Sequence, residues 1–150
     1  MNSDRNTIRE DDGLSSLMPV VMSIVVLGLL MPPLFVLVIK FTGYAEVIEE
    51  ILKAVVVIFL ILRIPTLQGK VMATILFGFL FGISENIFYL YNIFTVGNID
   101  VFYQRFFWTV PMHVLTPVIM LISSIKWKKG MVIGLPVAIV IHLVFNVYVL

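Results

Sequence analysis

The chain has 150 residues, of which 61% are hydrophobic and 13% are charged, and its mean hydropathy is +1.10. Ordinary globular domains are about a quarter charged and less than half apolar, so this composition indicates an integral membrane protein. The net charge of +1 gives no indication of nucleic-acid binding, and the absence of cysteine excludes disulfides, thiol catalysis and cysteine-ligated metal sites.

Long apolar stretches follow a short polar segment and extend almost to the end of the chain. We predict that residues 1–13 form a polar cytoplasmic tail and that residues 14–150 form a single transmembrane domain, an all-α bundle of about five spans. The predicted spans cover approximately residues 17–39, 44–64, 71–91, 105–125 and 131–150. Pro32 and Pro33 should kink the first span or make its end irregular. Residues 92–104 are predicted to form the longest internal loop.

Basic residues near the span ends predict the orientation of the chain in a cell membrane. With a cytoplasmic N-terminus, only Lys40 and Arg105 flank spans on the outside. The basic residues that then lie inside are Arg5, Arg9, Arg63, Lys70, Lys126, Lys128 and Lys129. Because cytoplasmic segments carry an excess of lysine and arginine, we expect the N-terminus inside and the C-terminus outside.

The second span carries an unusual group of charges in its first turns. Glu46, Glu49, Glu50 and Lys53 follow the spacing i, i+3, i+4, i+7, which places all four side chains on one helix face. A charge within a span costs about 2.5–3.5 kcal/mol on insertion scales, so such a group needs compensating partners or a function. The simpler alternative is an interfacial cluster whose side chains reach back to water.

Polar residues in the later spans fall at a similar depth. They are Glu85 and Asn86 in the third span, His113 in the fourth, and His142 and Asn146 in the fifth. Because the spans alternate in direction, a rise of about 1.5 Å per residue places all of them roughly 6–12 Å from the same membrane face as the glutamates of span two. Scattered polar residues would fall near both faces, so we predict one shared polar site. The alternative for each residue alone is a hydrogen bond between packed helices.

Four motifs occur in a definite order along residues 44–150. They are Glu49-Glu50-x-x-Lys53, Gly78-x-x-x-Gly82-x-x-Glu85-Asn86-Ile87-Phe88-Tyr89, Arg105 followed by His113, and His142-x-x-x-Asn146. In this order they resemble the PrsW family of multi-pass membrane proteases, which is similar to the CAAX-processing and bacteriocin-processing glutamic membrane proteases. Proteases of the CAAX group carry a motif similar to Glu-Glu-x-x-x-Arg, whereas this chain has Lys53 followed by Ala54. After His113 this chain has Val114, whereas members of the PrsW family usually have a small residue at that position.

The resemblance implies an intramembrane peptidase that hydrolyses a peptide bond of a membrane-associated peptide or single-span protein near the outer leaflet. Hydrolysis needs a held water, a base, an oxyanion donor and a proton for the leaving amine. Glu49 or Glu50 can be the base, and His113 and His142 can orient the water, stabilise the oxyanion or protonate the amine. The candidate catalytic residues are Glu49, Glu50, Glu85, His113 and His142, and the candidate supporting residues are Lys53, Asn86, Arg105 and Asn146.

A zinc site is the alternative chemistry, with His113, His142 and Glu85 as its three protein ligands. The chain lacks a His-Glu-x-x-His motif, so we favour a metal-independent glutamate mechanism without a required cofactor. Two other functions are open to the same residues. One is a proton-coupled transporter or channel subunit, although the inner halves of the spans carry almost no ionisable residue. The other is a catalytically inactive binding or immunity protein on the same fold.

Overall fold

The computed structural model describes residues 18–34, 44–96, 99–127 and 129–148. Within these residues the secondary structure is helical, without strands, which confirms the prediction of an all-α bundle. The helices are α1 (Met18–Leu34), α2 (Ala45–Arg63), α3 (Leu67–Val96), α4 (Ile99–Lys126) and α5 (Gly130–Tyr148). Segments of α3, α4 and α5 are long and apolar enough to cross a membrane, and the described part of α1 is a shorter apolar helix. Helix α2 has 19 residues but carries the charged group in its first turns.

The predicted loop over residues 92–104 is wrong wherever the structure describes it. Helix α3 continues to Val96 and α4 already begins at Ile99, while residues 97 and 98 lie outside the described residues. No proline or glycine follows the apolar part of span three until Gly97, so nothing in the sequence ends the helix earlier. At the start of α4, Asp100 lies in the first turn, where a negative charge favours a helix N-terminus.

Short connections join the remaining helices. Between α2 and α3, the side-chain oxygen of Thr66 accepts a hydrogen bond from the backbone N–H of Gly69 at 3.2 Å and caps the start of α3. Between α4 and α5, a Cβ atom on Gly130 would collide with the carbonyl of Ser123, so this tight turn requires glycine. Pro32 and Pro33 lie at the end of the described part of α1, and residues 35–43, where the predicted irregularity would continue, lie outside it.

The contacts at the helix ends show that neighbouring helices alternate in direction. Asn146, near the end of α5, is hydrogen-bonded to Glu46 at the start of α2. Arg105, in the second turn of α4, lies over the ring of Tyr89 near the end of α3. We call this the Tyr44 end of the bundle, and we call the opposite end, where α4 turns into α5, the Lys129 end.

Two apolar cores hold the helices together and position the polar residues near the Tyr44 end. One core joins α1 to α2 and α3, and its buried residues include Ile24, Val56, Leu60, Phe77 and Phe81. The other joins α2 to α4 and α5, and its buried residues are Ala54, Val57, Met120, Leu121 and Ala138. Large apolar side chains also cover the outside of every helix, as a bilayer requires.

Candidate functional site

Helix α2 turns its charged face towards the interior of the bundle. Glu49, Glu50 and Lys53 are buried, whereas Ile51 and Val55, on other faces of the helix, are exposed. In a bilayer the apolar face of a helix contacts lipid, so the charged side chains on the opposite face need partners on the neighbouring helices. The structure supplies these partners from α3, α4 and α5.

Glu50 and Lys53 form the centre of the polar cluster. The Nζ atom of Lys53 donates a hydrogen bond to Oε1 of Glu50 at 2.7 Å, and neither side chain is exposed. The same oxygen lies 2.8 Å from Nδ1 of His142, on α5. Since Oε1 of Glu50 is an acceptor, Nδ1 of His142 carries a proton and donates a hydrogen bond to it. In the neutral imidazole this leaves Nε2 of His142 unprotonated and able to accept a hydrogen bond.

His113 joins this centre from α4. Its Nδ1 lies 2.7 Å from Nζ of Lys53, and its Nε2 is in direct contact with Oε2 of Glu85 from α3. An ammonium group has donors but no acceptor, so Lys53 donates to Nδ1 and the proton of the neutral imidazole lies on Nε2, facing Glu85. The imidazole is fully buried and packs against the rings of Phe81, at 5.0 Å, and His142, at 5.3 Å between centroids.

The close packing of α3 against α4 fixes the position of His113 along the bundle axis relative to Glu85. Pro117 has no backbone N–H, so the carbonyl of His113 loses the helix hydrogen bond that residue 117 would normally donate. This carbonyl lies against Gly78, where a Cβ atom would collide with it. One turn further along α3, a Cβ atom on Gly82 would lie 2.9 Å from Cα of Val110. The two glycines therefore allow the backbones to approach closely enough for Glu85 and His113 to meet.

Glu49 and Glu50 each have a buried oxygen, Oε2, with no hydrogen-bond partner among the described residues. The other oxygen of Glu50, Oε1, accepts from Lys53 and His142. Nε2 of His142 lies 4.0 Å from Oε2 of Glu49, which is beyond hydrogen-bond length. Glu49 and His142 thus face each other across a gap that a single water could bridge.

Of the four predicted supporting residues, Lys53 lies at the centre of this cluster and the other three lie around it. Asn146 donates a hydrogen bond to Glu46 at 2.9 Å and closes the Tyr44 end between α5 and α2. Asn86 donates to the backbone carbonyl of Gly82 at 2.7 Å, so its amide is bound to its own helix. The guanidinium carbon of Arg105 lies 4.4 Å from the centroid of Tyr89, at the rim of the bundle. The described contacts of Asn86 and Arg105 are therefore with Gly82 and Tyr89 and not with the carboxylates or histidines of the cluster.

The sequence analysis did not single out Thr109, which lies four residues before His113 on the same face of α4. Its side chain is buried, and its hydroxyl has no hydrogen-bond partner among the described residues. The spacing to His113 was the available signal. It passed unnoticed because threonine in a helix usually bonds a carbonyl of its own preceding turn.

The zinc alternative can be tested on the arrangement of donors. Ligand atoms of Glu49, His113 and His142 lie within 4.8 Å of one another, so the structure groups Glu49, and not the predicted Glu85, with the two histidines. A metal-binding imidazole offers one unprotonated nitrogen and donates the proton on its other nitrogen to an acceptor. His142 meets this condition through Glu50, but Nδ1 of His113 faces the ammonium of Lys53. The residues as arranged therefore do not fit a three-ligand metal centre.

Residues 13–150 match the model of a protein family described as PrsW family intramembrane metalloprotease. The matched region includes the first span, for which the sequence motifs gave no assignment. No curated protein matches the chain, and no solved structure does.

Proposed function

The chain belongs to the PrsW family of intramembrane proteases, and on this premise we propose that it hydrolyses a peptide bond of a membrane-associated protein with a water activated by Glu49. The observation that carries this proposal is the gap of 4.0 Å between Oε2 of Glu49 and Nε2 of His142. Both groups are buried, and both present acceptors towards the gap.

Two facing acceptors are suited to hold one water in a defined orientation. The water would donate one proton to Oε2 of Glu49 and the other to Nε2 of His142. Its oxygen lone pair would then be directed away from both groups, towards a bound peptide. Glu50 supports this arrangement, because its contact with Nδ1 of His142 keeps Nε2 of that ring available as the acceptor.

The proposed reaction is a general base hydrolysis in two stages. As the water oxygen bonds to the carbonyl carbon, Glu49 takes one proton from the water and the carbonyl oxygen becomes an oxyanion. When this intermediate collapses, the carbonyl re-forms, the C–N bond breaks and the leaving amine takes the proton from Glu49. One peptide bond and one water thus give a carboxylic acid and an amine.

The other buried charges position the reacting groups. Oε1 of Glu50 already accepts from both Lys53 and His142, so this carboxylate is less able to take a proton from water than that of Glu49. Lys53 also fixes the tautomer of His113 through Nδ1. The Nε2–H group of His113 is directed at Glu85, and this contact orients the imidazole.

We do not assign a step to a metal ion, although the family description names metalloproteases. The reason is the contact between Lys53 and Nδ1 of His113, which leaves the proton of the neutral ring on Nε2. A metal ligand at this nitrogen would have to lose that proton.

We further propose that the Tyr44 end of the bundle is the outer end, so that cleavage takes place near the outer leaflet. Support comes from the basic residues that the structure describes. Arg63, Lys126 and Lys129 are exposed and lie near the Lys129 end, which the positive-inside tendency places in the cytoplasm. The substrate class that fits a buried site in the outer half of a bilayer is a single-span protein or membrane-associated peptide.

The proposal is tested with the purified full-length protein in detergent and a panel of single-span substrates, with the products identified by mass spectrometry. When the reaction is run in water labelled with ¹⁸O, hydrolysis should place one labelled oxygen in the new carboxyl group. Glu49→Gln, which keeps the size of the side chain, is the matched inactive variant. Failure of the folded wild-type protein to cut any substrate would overturn the proposal in favour of a binding protein on the same fold.

A further inference from the structure

The hydroxyl of Thr109 is a buried donor with no described function. The residue is 2% exposed, and its Oγ1 has no hydrogen-bond partner among the residues that the structure describes. Buried polar groups in folded proteins are almost always hydrogen-bonded, so a buried hydroxyl without a partner among the described residues is free to bond a bound substrate.

Helix geometry places this hydroxyl beside the polar cluster. Thr109 and His113 are separated by four residues, so their side chains lie one above the other on the same face of α4. Because helical side chains lean towards the N-terminus of their helix, the imidazole of His113 extends over the turn that carries Thr109. The next residue, Val110, packs against Gly82, three residues before Glu85 on α3. Thr109 therefore lies one helical turn from His113 towards the Tyr44 end, which is the direction in which Glu85 lies.

The other neutral donors near the site are already directed at partners within the protein. The Nδ2 atom of Asn86 donates to the carbonyl of Gly82, and that of Asn146 donates to Glu46. Nε2 of His113 faces Glu85. Peptide hydrolysis needs a donor aimed at the oxygen that becomes negative in the transition state, and a donor without a competing partner serves this purpose best.

We propose that Thr109 is a further catalytic residue, whose hydroxyl donates a hydrogen bond to the carbonyl oxygen of the scissile peptide. This inference rests on the proposed peptidase function. Among the described residues the hydroxyl has no bond to give up, so its interaction with the oxyanion is gained in the complex. An interaction that is stronger in the transition state than in the ground state accelerates the chemical step.

The test compares Thr109→Val, which keeps the shape of the side chain but removes the hydroxyl, with Thr109→Ser, which keeps the hydroxyl. Loss of one oxyanion donor lowers kcat by roughly 10²–10³-fold, so Thr109→Val should fall in that range with little change in KM. Thr109→Ser should retain most of the wild-type kcat.

Thr116→Val is the matched control. Thr116 lies on the same helix, is 0% exposed and also has a hydroxyl without a partner among the described residues. It lies three residues beyond His113, towards the Lys129 end, where the proposal places no substrate. We expect Thr116→Val to keep the wild-type kcat. Both valine variants should unfold at the wild-type temperature or above it, because each removes an unbonded buried hydroxyl.

The possible outcomes separate this inference from the proposed function. If Thr109→Val keeps the wild-type kcat while Glu49→Gln is inactive, the role of Thr109 is overturned and the peptidase function stands. A loss of the same size in Thr116→Val, or a clearly lower unfolding temperature of Thr109→Val, also overturns the role of Thr109, since the effect would then be structural. If the wild-type protein cuts no substrate, the proposed function fails and this inference fails with it.

Discussion

Nδ1 of His142 lies 2.8 Å from Oε1 of Glu50, although 92 residues separate the two in the chain. The same carboxylate oxygen accepts a hydrogen bond from Lys53 at 2.7 Å, so one atom links the start of α2 to the end of α5. Glu49 and Glu50 each have a buried Oε2 without a partner among the described residues, but that of Glu49 lies 4.0 Å from Nε2 of His142. Two adjacent glutamates with the same chemistry therefore occupy different positions in the site.

The first prediction concerns the stability contributed by Glu50. Glu50→Gln removes the negative charge between two donors and leaves the buried ammonium of Lys53 without its ion-pair partner. Removing one partner of a buried ion pair typically costs about 3–5 kcal/mol, so we expect a clearly lower thermal unfolding midpoint in detergent. Glu49→Gln is the control, and its midpoint should stay close to that of the wild type. The opposite order of the two midpoints would contradict the positions assigned to these glutamates.

The second prediction concerns the packing of α3 against α4. In Gly78→Ala the new methyl group meets the carbonyl of His113 and, at 2.8 Å, Cα of Val114, and neither backbone atom can move without separating the helices. Overpacking of this kind costs about 1–3 kcal/mol, and we expect the displacement of His113 to lower activity as well. Unfolding temperature and cleavage rate would both be measured. Met72→Ala, at a position of α3 that is 62% exposed, should leave both nearly unchanged.

Equal stability of Gly78→Ala and Met72→Ala would show that α3 and α4 pack less closely than described. Loss of stability with unchanged activity would show that the position of His113 along the bundle axis does not depend on this contact.

The third prediction concerns orientation. Reporter fusions should place the N-terminus in the cytoplasm and the C-terminus outside, since the described basic residues Arg63, Lys126 and Lys129 lie near the end of the bundle opposite the site. Two ends on the same side would contradict an odd number of spans. Exchanged ends would move the site to the inner leaflet without changing its contacts.

Much of this architecture follows from the sequence because a bilayer permits few structures. Apolar runs predict helices, and their alternating direction predicts that Glu85, His113 and His142 meet the glutamates of α2 at one end. The extension of α3 to Val96 was missed because hydropathy marks only the part of a helix inside the membrane. The helix itself continues until a stop signal such as glycine or proline occurs in the sequence.

Side-chain partners were harder to predict than positions. Periodicity places Asn86 on α3, but only the structure shows its amide turned to the backbone of Gly82. The same limit applies to the grouping of Glu49 with the two histidines, because several carboxylates at one depth have equivalent spacings. The tautomer of His113 depends on Lys53, which is 60 residues away in the chain. Such contacts depend on rotamers and on packing between helices, which local spacing does not determine.

The most direct measurement is the cleavage rate of a single-span substrate by purified protein after thorough metal chelation, for the wild type and for Glu49→Gln. If Glu49 activates the water and no metal takes part, the wild-type rate should survive chelation. Glu49→Gln, which cannot take a proton, should be slower by roughly 10²–10⁴-fold. A wild-type rate that is lost on chelation and restored by zinc, or a Glu49→Gln variant as fast as the wild type, would contradict the account.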